Sequence, residues 1–291
     1  MKLGVIGLGI MGSSIARNAA EAGAEVAGFD IDAARRGELE ANGGRAKSSA
    51  AEVAIASEVV LTSLPSVAAL DATCRAIAET KRRGLAVAEH STLPIADKER
   101  NRDLLAGAGI ELLDCPLSGT GAQAATRDLV VYASGSAAGY ERVKPAFPLY
   151  ARLDFYLGPF GNGSKMKFVA NLLVAIHNVA SAEAMVLGIK AGLDPDLVEK
   201  VIKTGAGNSR VFELRAPLMA ANDYEPPTMK IDVWKKDMEI IGKYARALGV
   251  ATPLFDATAP LYLRAIEEGL GGKDTAAVCA VLERMSGVKR A

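Results

Sequence analysis

Apolar and polar residues follow two different rhythms along the chain, and the change falls near residue 160. Before it, short apolar runs typical of buried strands alternate with Ala-rich segments of helical length. The candidate strands are residues 2–6, 25–29, 58–64, 85–90, 110–115, 129–134 and 152–157, with a weaker one near 43–48. Such alternation predicts βαβ units, and therefore an α/β fold with a doubly wound parallel sheet and helices on both faces.

After residue 160 the strand pattern stops and only helical periods remain. A long apolar run predicts one helix over residues 164–191. Further segments of helical length, separated by Gly, Pro and Asp, cover residues 192–205, 211–222, 234–249, 255–269 and 274–285. The sequence therefore predicts an α/β domain at residues 1–162 and an all-helical domain at 163–291, joined by a long interdomain helix.

Composition narrows the partners and the compartment. Lys+Arg and Asp+Glu both number 34, which argues against nucleic acid or a membrane surface as a partner. The three cysteines are widely spaced and read as reduced, buried thiols, and two histidines are too few for a His-rich metal site. The start of the chain lacks the apolar region of a signal peptide, and charged or polar residues interrupt each apolar run before it reaches membrane-spanning length. We expect a cytoplasmic protein without a metal.

A glycine-rich segment follows the first strand and opens the next helix. Gly7, Gly9 and Gly12 have the spacing G-x-G-x-x-G, in which the glycines allow a tight turn, close approach of pyrophosphate and close helix–strand packing. The positive end of the helix then faces the phosphates. The residues interspersed among the glycines are Leu8, Ile10 and Met11. The motif predicts a Rossmann-type dinucleotide-binding domain, with a plain turn or a methyltransferase of similar fold as alternatives.

An acidic residue stands where such a domain binds the ribose. Asp30 ends the second strand, eighteen residues after Gly12. A carboxylate at this position binds ribose hydroxyls and repels a 2′-phosphate, which favours NAD over NADP. Arg35 and Arg36 lie nearby and soften that preference, so NADP stays possible. If the loop is only a turn, Asp30 is a solvated side chain.

The start of the long helix carries two lysines, which helical geometry separates. At about 100° per residue, Lys167, Asn171 and Asn178 fall within roughly 40° of one another, whereas Lys165 lies about 160° away, on the side of Glu183. A partly desolvated lysine near a helix N-terminus has a lowered pKa and suits proton transfer. Lys167 is thus the candidate general acid/base and Lys165 a solvated or ion-paired residue; a snorkelling Lys167 is the alternative. Asn178 is expected to be structural.

Taken together, the motifs resemble those of the β-hydroxyacid dehydrogenase family over essentially the whole chain. The matching segments are GLGIMG (7–12), STLP (91–94), DCPLSGTGAQAATRDL (114–129), KMKFVAN (165–171) and KKD (235–237). The resemblance implies an NAD(P)-dependent oxidoreductase that transfers a hydride between NAD(H) and a small 3-hydroxy acid or semialdehyde. It also implies a homodimer or homotetramer, and an active site in the cleft between the domains.

The resemblance assigns residues to three roles. Cofactor binding falls, besides the glycine segment and Asp30, to Leu64, Pro65, Thr92 and Lys236. Substrate binding falls to Ser118, Gly119, Thr120 and Asp237. Catalysis falls to Lys167 and Asn171. Independently of the family, consecutive backbone N–H groups in the turn at 118–120 can form an anion-binding concavity, although an ordinary turn has the same composition. Thr92 could equally be a helix N-cap.

Some positions depart from the family pattern. Thr120 replaces a usual glycine, Glu89 a usual Asp and Ala170 a usual Asn, and the STLP segment is one residue short. These differences leave the substrate open. An imine reductase, in which the catalytic lysine is typically replaced, and a non-catalytic NAD-binding regulator are the alternative functions.

Overall fold

The computed structural model describes residues 1–290 and divides into two compact units. The first is Met1–Lys167 and the second begins at Phe168. The predicted domain boundary between residues 162 and 163 stays a prediction.

A six-stranded parallel sheet organises the first unit. Its strands are β1 (Lys2–Ile6), β2 (Glu25–Phe29), β3 (Arg45–Ala46), β4 (Val59–Thr62), β5 (Ala86–Glu89) and β6 (Glu111–Asp114). Their order, β3-β2-β1-β4-β5-β6, is that of a Rossmann-type sheet and confirms the predicted fold. The intervening helices are α1 (Ile10–Glu21), α2 (Ala33–Ala41), α3 (Ala50–Ala56), α4 (Val67–Glu79) and α5 (Ile95–Gly107).

Alternate residues of the central strands pack on opposite faces of this sheet. Leu3 and Val5 of β1 join one buried cluster with Ile15 of α1, whereas Ile6 joins the other cluster with Leu70 of α4. Because helices cover both faces, the central strands read as continuous apolar runs, which is why the sequence pattern identified them.

A second, three-stranded sheet completes the first unit, and the sequence pattern did not predict it. It has the order β7-β8-β9, with β7 antiparallel and β9 parallel to β8. Its elements are β7 (Leu117–Ser118), α6 (Gly121–Ala125), β8 (Val130–Ala133), α7 (Ala137–Val143), a 3-10 helix at Lys144–Leu149, and β9 (Leu153–Tyr156). The predicted strands at 129–134 and 152–157 therefore exist but lie outside the parallel sheet, because an apolar run does not specify its pairing partner.

Six α-helices carry the rest of the residues that the structure describes. They are α8 (Asn162–Lys190), α9 (Pro195–Ile202), α10 (Arg210–Ala221), α11 (Ile231–Ala247), α12 (Pro253–Glu267) and α13 (Val278–Met285), with a 3-10 turn at Thr275–Ala277. The 29-residue α8 begins in the first unit and continues into the second. By length and composition alone α8 could cross a membrane, and 44% of its most apolar window is buried inside the protein. A core helix of a water-soluble protein passes the same test.

Two predicted structural roles are confirmed. Asn178 is buried, and its Nδ2 donates to the Tyr262 hydroxyl at 2.8 Å and to the Thr275 carbonyl at 2.9 Å. Cys74, Cys115 and Cys279 are free and buried. Burial raises the pKa of the Cys74 and Cys279 thiols to about 12 and that of Cys115 well above its usual value, so none is a thiolate nucleophile at neutral pH.

Candidate active site

The three motif glycines differ in what a side chain at each position would meet. Gly7 has a φ of +86°, and a Cβ there would lie 2.1 Å from the Ser63 carbonyl oxygen. A Cβ on Gly12 would lie 1.8 Å from the carbonyl oxygen of Gly7. At Gly9, by contrast, the nearest atom is Nη1 of Arg35, at 3.5 Å. The protein itself thus leaves room for a side chain at Gly9, and the missing Cβ leaves that room for a ligand beside the N-terminus of α1.

The Asp30 carboxylate lies beside this loop and is held by it. Oδ2 accepts the Leu8 N–H at 2.7 Å and Oδ1 accepts the Asp32 N–H at 2.9 Å, while Arg35 Nη1 lies 3.4 Å from Oδ2. Burial alone would raise the pKa of Asp30, but the two backbone N–H groups and Arg35 outweigh it and lower the pKa below its usual value. Asp30 is therefore an anion at neutral pH, only 7% exposed, and the solvated alternative is wrong.

The predicted nicotinamide side is organised by a serine that the sequence interpretation missed. The Ser91 hydroxyl accepts the N–H of Leu64 at 2.7 Å, which joins the loop after β4 to the segment after β5. Thr92 follows Ser91 directly, and Pro65 follows Leu64. The N-cap of α5 is Pro94, so the N-cap alternative for Thr92 is wrong. The signal available in the sequence was the position of Ser91 at the carboxyl end of a parallel strand.

The predicted substrate turn lies between β7 and α6. Gly119 has a φ of +133°, and a Cβ there would lie 2.5 Å from Leu129 Cδ2. Thr120 caps α6, and its N–H donates to Gln123 Oε1 at 3.1 Å. This amide is therefore engaged inside the turn, and the use of the turn as an anion-binding site stays a prediction. Ser118 ends β7 at the edge of the same turn and is half-buried.

One buried hydrogen bond joins the glycine-loop helix to the substrate turn. Asn18, near the end of α1, donates from Nδ2 to the Ala124 carbonyl of α6 at 2.7 Å. Arg127 follows α6 in the left-handed region, with φ +60°, and donates to the Asn18 carbonyl at 3.2 Å. Helices α1 and α6 are thereby fixed to each other.

The two lysines at the start of α8 lie in different environments. Lys165 is exposed, and its Nζ donates to Asn162 Oδ1 at 3.1 Å, which confirms the prediction of a solvated residue. Lys167 is only 9% exposed. A buried ammonium group is costly unless other groups compensate it.

Three further predicted residues come together in the second unit. Asn171 donates from Nδ2 to Asp237 Oδ2 of α11 at 3.2 Å, and both residues are buried. Lys236 Nζ lies 3.3 Å from the other carboxylate oxygen of Asp237. Phe168 and Tyr244 pack edge to face with ring centroids 5.2 Å apart, which adds a second contact between α8 and α11.

Comparison with known proteins assigns both parts of the chain. Residues 2–158 match the model for the NAD binding domain of 6-phosphogluconate dehydrogenase. Residues 161–282 match the model described as NAD-binding of NADP-dependent 3-hydroxyisobutyrate dehydrogenase. The fold and the matched models define a dehydrogenase with an NAD(P)-binding domain.

Individual relatives match along their full length. The L-threonate dehydrogenase of Cupriavidus necator is 33% identical, over 96% of this chain and 95% of its own. The 2-(hydroxymethyl)glutarate dehydrogenase of Eubacterium barkeri is 28% identical, over 99% and 97%. A crystal structure of 3-hydroxyisobutyrate dehydrogenase from Salmonella typhimurium superposes with a TM-score of 0.87 at 31% identity, covering 97% of this chain and 99% of the other. The chain belongs to the β-hydroxyacid dehydrogenase family and is an NAD(P)-dependent enzyme, which sets aside the non-catalytic alternative.

Proposed function

We propose that the enzyme transfers a hydride between NAD(H) and a small 3-hydroxy acid or its semialdehyde, with Lys167 as general acid/base. The observation that carries the proposal is the buried Lys167 at the start of α8, on the same helical face as the buried Asn171. Proton transfer is efficient when a side chain is held in place beside the reacting group, and the buried position of Lys167 would hold its amine in this way.

The chain's own groups bind the cofactor, orient the substrate hydroxyl and move the proton. The segment Gly7–Gly12 holds the pyrophosphate, Asp30 the adenosine ribose, and Leu64, Pro65, Thr92 and Lys236 the remainder of the cofactor. When bound, the nicotinamide supplies or accepts the hydride. In oxidation the neutral Lys167 amine takes the hydroxyl proton, and in reduction its ammonium donates that proton. Asn171 orients the hydroxyl, and Asp237 keeps Asn171 in place through their hydrogen bond.

A substrate panel tests the reaction class. It contains 3-hydroxyisobutyrate, L-threonate and 2-(hydroxymethyl)glutarate, the compounds named in the relatives' activities, together with short semialdehydes and a cyclic imine. Each compound is assayed with NAD(H) and with NADP(H) by absorbance of the reduced cofactor. Turnover of a hydroxy acid or semialdehyde supports the proposal, and turnover of the imine alone favours the imine reductase alternative.

The cofactor preference follows from the charge on Asp30. Because Asp30 is an anion beside the ribose position, we expect kcat/KM with NAD(H) to exceed that with NADP(H). Asp30→Ala should lower kcat/KM with NAD(H) roughly tenfold, the value of a hydrogen bond to a charged group, and narrow the gap. The matched control is Arg35→Ala, which removes the neighbouring cation and should widen the gap. A wild-type enzyme that prefers NADP(H) would contradict the assignment.

The carboxylate site is proposed at Ser118, Gly119 and Thr120. Ser118→Ala should raise KM for the hydroxy acid about tenfold, the value of one charge-assisted hydrogen bond, while the Kd for NAD(H) stays unchanged. Replacing the substrate's carboxylate by a neutral amide should lower kcat/KM of the wild type by a larger factor than it lowers kcat/KM of the Ser118→Ala variant. Equal turnover of amide and acid by the wild type would show that this turn binds something else.

We also propose a homodimer or homotetramer in the cytoplasm. The second unit exposes large apolar side chains, among them Leu187 at 72% and Leu254 at 68%, and contact with another copy of the chain would cover them. Light scattering coupled to gel filtration measures the mass in solution, and a monomer at micromolar concentration would refute this part of the proposal.

A further inference from the structure

A cluster of fully buried charges lies at the carboxyl ends of β5 and β6. Lys98 of α5 places its Nζ 2.6 Å from Glu89 Oε2 and 2.8 Å from Asp114 Oδ1, and all three side chains have no exposed surface. Glu89 and Asp114 are neighbours in the parallel pairing of the two strands. Burial would lower the pKa of Lys98, but the two carboxylates raise it above its usual value, so the cluster contains one ammonium and two acidic side chains.

Asp114 connects this cluster to the first turn of α8. Its Oδ2 accepts the Ser164 N–H at 2.7 Å, and its Oδ1 accepts the Ser164 hydroxyl at 2.7 Å. A Cβ on the adjacent Gly163 would lie 2.3 Å from the Tyr132 carbonyl oxygen, so the helix start is also packed directly on backbone. These contacts fix both the position and the rotation of the first turn of α8. Lys167 follows Ser164 by three residues.

Glu89 connects the same cluster to the proposed cofactor loop. Its Oε1 accepts the Ser91 N–H at 2.8 Å, and the Ser91 hydroxyl in turn accepts the Leu64 N–H at 2.7 Å. Thr92 is the next residue in the chain. One buried lysine therefore joins the residues assigned to the cofactor and the helix that carries the proposed proton donor.

Stability of the fold does not by itself explain such a cluster. A buried ion pair is often replaced by apolar residues of similar volume without loss of stability, since desolvation offsets the attraction between the charges. Here each carboxylate also accepts hydrogen bonds outside the ion pair: Asp114 from Ser164, and Glu89 from the Ser91 N–H. These are the contacts that orient α8 and the Leu64 loop. The same hydrogen bonds thus compensate the buried carboxylates and position α8 and the Leu64 loop.

We propose that Lys98, together with Glu89 and Asp114, is a positioning residue that sets the rotation of the first turn of α8 and thereby the placement of Lys167. It acts through Ser164 and touches neither substrate nor cofactor. The inference rests on the proposed role of Lys167 as general acid/base.

The mildest test is Ser164→Ala, which removes the hydroxyl that Asp114 binds and keeps the shape of the site. We expect kcat to fall about tenfold, because a small misplacement of a reacting group is costly. The KM for the hydroxy acid and the KM for NAD(H) should stay unchanged. The matched control is Ser57→Ala in the same unit, where the fully buried hydroxyl donates to the Val53 carbonyl at 2.7 Å. This control should lose comparable thermal stability and keep its kcat.

A second variant tests the charges themselves. Lys98→Met, Glu89→Gln and Asp114→Asn combined remove all three charges at similar volume, so the fold is not left with an uncompensated ion. We expect a folded protein by circular dichroism. Glu89→Gln keeps an oxygen that can accept the Ser91 N–H, so NAD(H) affinity should stay normal. Asp114→Asn keeps only one oxygen for the two hydrogen bonds from Ser164, so kcat should fall at least tenfold below wild type. A folded triple variant with wild-type kcat overturns the proposal. This test remains valid even if Ser164→Ala does not fold.

The decisive measurement combines Ser164→Ala with Lys167→Ala. If Ser164 acts through Lys167, adding Ser164→Ala to Lys167→Ala lowers the residual kcat no further. A further tenfold loss in that background overturns the positioning role. If Lys167→Ala alone keeps wild-type kcat, the proposed function fails, and the positioning role fails with it. If Lys167→Ala is inactive while Ser164→Ala has normal kcat, only the positioning role fails.

Discussion

Lys167→Ala should lower kcat by about 10²–10⁴-fold, the contribution of a positioned proton-transfer group. The thermal midpoint and the affinity for NAD(H) should stay close to wild type, since the variant removes a proton donor and none of the groups that we assign to the glycine loop. Stopped-flow measurement of cofactor oxidation, together with a fluorescence titration of NADH, separates the two effects.

Two further lysine variants show whether the amine itself is needed. Lys167→Met keeps the stem packed in its buried position and should be as inactive as Lys167→Ala. Lys165→Ala removes an exposed lysine whose Nζ bonds Asn162, and it should retain most of the activity. An essential Lys165 beside a dispensable Lys167 would refute both the helical face and the role assigned to it.

Gly9→Ala and Gly12→Ala should change different properties of the enzyme, the first its affinity for NAD(H) and the second its stability. A Cβ at position 9 meets only the flexible end of Arg35, at 3.5 Å, so Gly9→Ala should fold with wild-type stability. The methyl group would occupy the space that we assign to the pyrophosphate. A cost of about 1–3 kcal/mol for overpacking corresponds to a roughly 5- to 150-fold higher Kd for NAD(H), measurable by titration.

Gly12→Ala places its methyl carbon 1.8 Å from a backbone oxygen, which cannot move aside as a side chain does. We expect a loss of about 3 kcal/mol or more in unfolding free energy, and a thermal midpoint lower by roughly 10 °C. Normal stability of Gly12→Ala, or a destabilised Gly9→Ala with normal cofactor affinity, would show that the loop has a different conformation.

The sequence pattern predicted those elements whose burial follows from neighbouring residues alone. The strands of the parallel sheet are buried on both faces, so their apolar runs are visible, and a 3.6-residue period separates the exposed Lys165 from the buried Lys167. Strand β7 has only two residues, too few to show any period. The sequence pattern therefore gave no sign that β8 pairs with it, and the second sheet was not predicted.

Contacts between distant residues account for what the sequence interpretation missed. The hydrogen bond between Leu64 and Ser91 spans 27 positions, and that between Ser164 and Asp114 spans 50. The sequence marks Glu89 only as a departure from a family pattern, because its partner Lys98 lies in a helix with many other charged residues. Nothing in the spacing of these residues indicates that their side chains meet.

The hydrogen bond from Asn18 to Ala124 has a consequence for protein engineering. The segment after β7, where we propose that the substrate carboxylate binds, looks like a loop that could be exchanged between relatives. Its helix is nevertheless anchored to α1, and Arg127 returns to the same point. The smallest segment that can be transplanted is therefore the loop together with the surface of α1 that it contacts. A chimera that moves the loop alone would lose its match with the helix that begins at the glycine-rich segment.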